Sequence, residues 1–380
     1  MPEHLNPEHE LEDLEALRRK YEEAFGNAQN SGDYSEAEKL KEELEKRLTG
    51  LETRFSMQEP AENNIETEEF DEIKFEKRFI PNLKHFLETG VVSSKDVLLN
   101  LVGMGGGDAM KLRDQAYALR VTEAMSIEDA DSLLLLSYAG VDNKIAWRFR
   151  ELHLENSSVL KSVAGMGSDR AWKIRDRFDE DGKYPSSMLE SLTGLDSESA
   201  WALRESLHRR YIKEKNNYLE SDVLRSIVGL DSDRAWKLRD AIDINTCSIL
   251  ILQSLTISLT GLDSERAWKL RRMLEQHALI FNSNKHLYQT IFYALASSLA
   301  GLVSEEAWAF RAQLKKQYFP RSLAGLNTDL VWEARDDILK EDFPQENIAI
   351  PEFSWLSSIN GDFITAIGWR TARKYQKEKE

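Results

Sequence analysis

The chain has 380 residues, 41% of them hydrophobic and 31% charged, with a formal charge of −16 at pH 7. That length exceeds what one hydrophobic core normally serves, so several domains or a quasi-linear repeat array is expected. No apolar run approaches the roughly 20 residues that span a bilayer, and a single cysteine, Cys247, excludes an intrachain disulfide framework.

The charge is unevenly placed. Residues 1–72 hold 22 Asp and Glu against 8 Lys and Arg, whereas residues 73–380 hold 44 against 42. An acidic head disfavours polyanions, and the nearly neutral remainder leaves room for a local basic groove. Met1-Pro2-Glu3-His4-Leu5 has neither a basic nor an apolar character, which predicts a cytoplasmic protein.

From His9 to Phe55 the apolar stripe Leu14, Leu17, Tyr21, Ala24, Phe25 is followed by a second, Ala37, Leu40, Leu44, Leu48, Leu51. Asn30-Ser31-Gly32-Asp33 between them stops one helix and caps the next, so residues 1–55 are predicted as an antiparallel helical hairpin. The segment Asp33-Tyr34-Ser35-Glu36-Ala37-Glu38-Lys39-Leu40-Lys41-Glu42-Glu43-Leu44 resembles the UVR-type helical hairpin, which implies a protein-protein contact module. An ordinary coiled-coil hairpin that self-associates through residues 9–55 is the simpler alternative. Residues 56–72 carry seven acidic residues, no basic one and Pro60, and are predicted as a flexible linker. Helical patterning resumes at Lys74-Phe75 and runs to a stop at Gly90.

Residues 73–380 are then predicted as a repeat domain. Gly103, Gly140, Gly165, Gly194, Gly229, Gly261, Gly301 and Gly325 are each followed ten residues later by an arginine, and Asn360 is predicted to anchor a ninth, degenerate copy ending at Arg370. Spacings of 24 to 40 residues fix the second helix of each copy and let the first vary, down to a stub at Arg321-Ser322-Leu323-Ala324 where a bend is expected. The glycine suits the left-handed residue that ends a helix. Ser197, Ser232, Asp263 or Ser304 can cap the helix that follows. Apolar residues six, nine and thirteen after the glycine, as in Ala267, Leu270, Leu274, give that helix a buried stripe.

The ladder Trp147, Arg150, Trp172, Arg175, Trp201, Arg204, Trp236, Arg239, Trp268, Arg271, Trp308, Arg311, Trp332, Arg335 sets each arginine three residues after a tryptophan. A guanidinium there can stack on the indole or reach a corner acid, with Asp196, Asp231 and Asp263 as candidate partners. The pattern resembles HEAT-type helical solenoids, which turn at an Asp and place an Arg in the next helix. The tryptophan, and the serine three before the glycine as in Ser191 and Ser298, depart from the HEAT pattern. The fold class expected is all-α: a right-handed α-solenoid of eight to nine irregular hairpins behind the amino-terminal hairpin.

Gly103-Met104-Gly105-Gly106-Gly107-Asp108-Ala109-Met110-Lys111 lacks the Gly-Lys-Ser/Thr ending of a phosphate loop and falls on the first corner. Histidine spacing signals no metal, Cys247 reads as a small buried thiol, and no nucleophile arrangement, cofactor motif or catalytic residue stands out. The expected function is a non-enzymatic scaffold or adaptor that lays a protein partner along the solenoid surface. The alternative is a helical-repeat nucleic-acid binder that reads bases with its Trp and Arg pairs.

Overall fold

A computed structural model describes residues 72–123, 127–181, 183–212, 217–280, 285–340 and 357–377, together with Lys20 and Lys39. The hairpin expected over residues 1–55, save Lys20 and Lys39, and the linker expected over residues 56–72, save Glu72, which already opens a helix, lie outside the described residues. The chain divides into two compact units, Met1–Thr67 and Glu68–Glu380. Among the described residues every regular element is helical, and no helix is long and apolar enough to cross a membrane.

Helix α1 (Glu72–Glu88) opens the second unit and ends at Gly90, whose φ is +71°. The repeats follow as pairs of helices. First helices are α2 (Ser94–Asn100), α4 (Ile127–Ser137), α6 (Ser158–Ser162), α8 (Pro185–Ser191), α10 (Asn217–Ser226), α12 (Ile249–Ser258), α14 (Lys285–Ser298) and α16 (Phe319–Ser322). Second helices are α3 (Gly107–Glu123), α5 (Lys144–Leu152), α7 (Asp169–Asp181), α9 (Glu198–Ile212), α11 (Asp233–Asp240), α13 (Glu265–Ile280), α15 (Glu305–Gln313) and α17 (Asp329–Lys340). The last helix, α18 (Phe363–Lys377), follows a helical turn at residues 357–359.

Each corner glycine sits in the left-handed region, with φ from +73° to +79° across the eight copies. The second helix starts four residues on in every one of these copies. Ser304 caps α15 by accepting from the Ala307 N–H, and Asn143 caps α5 through Ala146. Ser232 stands at the N-cap of α11 without a side-chain capping bond, and its hydroxyl donates to Asp196. The predicted stripe holds: Ala267, Leu274, Ala307 and Phe310 are buried, and Leu270 is half-buried against the same core.

Consecutive first helices pack side by side from α4 to α16, and α2 packs on α4. The corner glycine of one copy donates its N–H to a carbonyl at the end of the next first helix: Gly229 to Ser258 at 3.3 Å, Gly261 to Ser298 at 3.2 Å, Gly301 to Ala324 at 2.8 Å. The stub α16 keeps that bond. Helices of four or five residues, such as α16 and α6, have no stability of their own, so their order comes from neighbours.

Two features depart from expectation. The left-handed residue of the ninth copy is Gly361 (φ +72°), not Asn360. Asn360 is fully buried, its side chain free to bond because the glycine beside it makes the turn. Helix α18 also does not continue the row of second helices. It lies against the corners: a Cβ on Gly229 would come within 2.4 Å of the Gly368 carbonyl, on Gly194 within 2.2 Å of the Thr371 hydroxyl, and on Gly325 within 2.6 Å of the Trp369 ring. Glycine at these corners therefore serves the close approach of α18 as well as the turn. The corner face is covered by the chain's own α18.

Candidate functional site: the arginine and tryptophan ladder

Sequence places a charged residue ten positions after each corner glycine, and the fold turns every one of them inward. Arg150, Arg175, Arg204, Arg239, Arg271, Arg311 and Arg335 are all at most 1% exposed. Arg113, the same position in the first copy, is also buried, although Met110 stands where the other copies have tryptophan.

Arg239 shows the common arrangement. Its Nη1 donates to the Leu230 carbonyl (2.8 Å) and its Nη2 to the Ile227 (3.0 Å) and Ser258 (2.8 Å) carbonyls. Its Nε donates to the Ser258 hydroxyl at 3.0 Å, and that hydroxyl in turn donates to the Leu255 carbonyl. Ile227 and Leu230 belong to the corner of its own copy, and Ser258 ends the first helix of the next. One guanidinium thus satisfies carbonyls left open at the ends of two neighbouring first helices. The arrangement recurs with Arg150 on Ser162, Arg175 on Ser191, Arg204 on Ser226, Arg271 on Ser298 and Arg335 on Ser358. At the stub, Arg311 donates Nε to the Ser322 carbonyl instead of its hydroxyl.

A cation at helix carboxyl termini is favourable because the aligned peptide dipoles end negative there. This explains how buried arginines are held without a carboxylate in their hydrogen-bond shell. Burial brings the guanidiniums of Arg204, Arg239, Arg271 and Arg335 down to about 9, and those of Arg113 and Arg150 to about 10. All remain protonated at pH 7, so the donors are present throughout the neutral range.

The expected Asp partners pair differently. Asp196, Asp231 and Asp263 accept from the indole N–H of Trp201 (2.6 Å), Trp236 (2.7 Å) and Trp268 (2.8 Å). They also accept from Ser232 (3.0 Å), Ser264 (3.2 Å) and Ser304 (2.9 Å) of the following copy. The acid does bridge copies, through the serine and not through the arginine. At the corner of Trp332 an amide takes the place of the acid, Asn327 accepting from the indole N–H at 2.9 Å. The two corners that offer the indole no side-chain acceptor, at Gly167 and Val303, belong to Trp172 and Trp308, which are only half-buried. Trp147, Trp201, Trp236, Trp268 and Trp332 are 2–4% exposed.

Stacking occurs as expected within each copy, with Arg and Trp 4.5 to 4.8 Å apart from Trp147 to Trp332. The other ring face of Trp147 and Trp236 meets Arg170 and Arg266 of the next copy, at 4.6 and 4.7 Å. At these copies the indole is held between two guanidiniums, and the ladder arginines themselves are buried.

The glycine-rich first corner is filled from within the chain. The Gly106 N–H donates to the Glu76 carboxylate at 3.3 Å, and a Cβ at Gly106 would lie 2.0 Å from the other Glu76 oxygen. Cys247 is half-buried against the core, where burial pushes its thiol up to about 11. Among the described residues no group of His, Cys, Asp and Glu could hold a metal ion. A cleft of about 220 Å³ lined by Trp201, Glu205, His208, Arg234 and Lys237 is smaller than the roughly 300–1,000 Å³ of ordinary ligand pockets.

Of two further contributors, the sequence marked one only by its spacing and missed the other. Arg113 carries the glycine spacing but has no tryptophan to mark it. Trp369, 1% exposed, stacks on Arg370 and Arg373 of α18 at 4.1 and 4.9 Å, and only its order next to Arg370 hinted that the ninth copy breaks register. No protein-family model, curated protein or solved structure matches this chain.

Proposed function

We propose that this chain is a non-enzymatic protein-protein interaction scaffold acting in the cytoplasm. Its helical pairs form a right-handed, HEAT-like α-solenoid that binds a partner along its outward surface, and residues 1–55 supply a second contact, to another protein or to a second copy. A tether between two contacts raises the effective concentration of the second once the first is made.

The observation that carries this proposal is the inward direction of the whole ladder. A nucleic-acid reader of helical repeats presents its arginines and aromatics to bases, whereas here both are engaged in joining one copy to the next. With the corner face covered by α18, the second helices offer an open surface. Several large apolar residues stand exposed on them: Ile145 and Leu152 on α5, Ile280 on α13 and Leu330 on α17. Apolar anchors on a polar surround suit a protein partner.

Affinity capture with the full chain, beside a chain carrying Ile145→Asp and Leu152→Asp, tests this. The account expects a partner that survives moderate salt and is lost with the double substitution at unchanged melting temperature. Retention of the same partners by the variant, or their loss on nuclease treatment, would contradict it.

A further inference from the structure

We infer that the repeats of the second unit close into a ring through a ninth unit assembled from both ends of that unit. Residues 357–361 supply its first helix and corner, and α1 supplies its second helix.

The step from the eighth copy into the ninth is the ordinary one. Ser358 stands three residues before the left-handed Gly361, and its hydroxyl and carbonyl accept from Arg335 at 3.2 and 2.8 Å. The Gly325 N–H donates to the Ile359 carbonyl at 2.8 Å. By chain order α18 should then pack beside α17 as the second helix. It runs across the corner glycines instead, and α1 makes the missing contacts.

Three of those contacts reproduce what one copy does to the copy before it. Arg78 lies over Trp332 at 5.0 Å, as Arg266 lies over Trp236. Arg78 pairs with Asp329, four residues after its glycine, at 2.6 Å, as Arg234 pairs with Glu198, four after Gly194, at 2.9 Å. The Phe75 ring is 6.3 Å from Trp332, and the Phe310 ring is 6.2 Å from Trp268.

The step from the ninth unit to the first is also made. Asn360 donates its amide to the carbonyls of Asn100 (3.1 Å) and Val102 (2.9 Å). Asn100 stands three residues before Gly103, so its carbonyl is the one that a ladder arginine takes elsewhere. Arg370 donates to the Asn360 side-chain oxygen at 2.8 Å and so fixes which way the amide points. On the outer side, Glu76 accepts from Gly106, three residues after Gly103, where in other steps a serine at that position donates to the preceding Asp. One apolar core holds Phe75 and Leu101 together with Trp332 and Ile359.

An open array leaves an apolar face at each end. Closing it buries both, and the entropy of joining distant segments grows only with the logarithm of their separation. The ninth unit is thereby a latch whose halves come from opposite ends and hold one another. This conclusion is independent of what the array binds.

Hydrogen-deuterium exchange on the full chain tests it, with Arg78→Ala altering the exposed side of the latch and Asn360→Ala the buried side. Each variant is expected to speed exchange in the same segments, α1, α2, α17 and residues 357–360, by about tenfold or more, while α8 to α11 stay at the wild-type rate. Effects confined to α1 and α3 for Arg78→Ala, and to α17 and α18 for Asn360→Ala, would mean two independent ends and would overturn the closure. Arg78 is exposed, so that variant folds even if loss of the Asn360 amide proves disruptive.

Discussion

The unit of this structure is one buried guanidinium that ends two helices at once. Lysine keeps the charge but has no planar fork with which to reach several carbonyls. Arg239→Lys should therefore lower unfolding free energy by about 3 kcal/mol in chemical denaturation, because carbonyls of Ile227, Leu230 and Ser258 lose a donor in a site closed to water. A loss under about 1 kcal/mol would show that the carbonyls find other donors. The indole bond is separable from the stack by comparing two tryptophans. Trp201→Phe removes an N–H bonded to Asp196, and Trp172→Phe has no corner acid to lose. The first should cost about 1–2 kcal/mol more than the second, and equal melting temperatures for the pair would contradict the assigned role of the corner acid.

Much at this scale was legible beforehand. A glycine, a serine three before it and an arginine ten after it recur because each performs one step of a single hydrogen-bond circuit. The Asp-to-Trp pairing was not legible. On a helical surface Arg and Trp three residues apart are equally available to a corner acid, and only burial decides that the arginine turns away from it.

At the scale of elements, the corners depend on α18. Gly229→Ala introduces both the left-handed penalty and a Cβ 2.4 Å from the Gly368 carbonyl, whereas Gly90→Ala has a φ of +71° and nothing within 4 Å. The conformational cost, about 1–2 kcal/mol, is shared by both. Any excess at Gly229 measures the packing of α18, and thermal unfolding should place Gly229→Ala well below Gly90→Ala. Matching values would mean that α18 does not hold this position in solution. Neither the position of α18 nor the use of α1 could be read from the sequence. Chain order sets α18 after a corner, as if it were one more second helix, and α1 precedes the first glycine. Gly368, Thr371 and Ala372 are the faint signal, small residues on a helix that must pass over backbone.

At the scale of the whole molecule, charge and ladder lead to the same expectation. Residues 73–380 are close to neutral, and their repeated arginines are turned inward. Nucleic-acid affinity that arises from released counterions requires exposed cations, and it falls steeply as salt rises. The most direct measurement is therefore titration of fluorescent single-stranded RNA with the full chain, and with its Arg239→Lys variant, at low and at physiological salt. The account predicts weak binding that disappears with added salt and is the same for both proteins. Tight, salt-steep binding by the full chain, with an affinity that Arg239→Lys weakens while the melting temperature stays unchanged because a lysine cannot replace the guanidinium's stacking and forked bonds, would show that the ladder faces a ligand, and would contradict the scaffold.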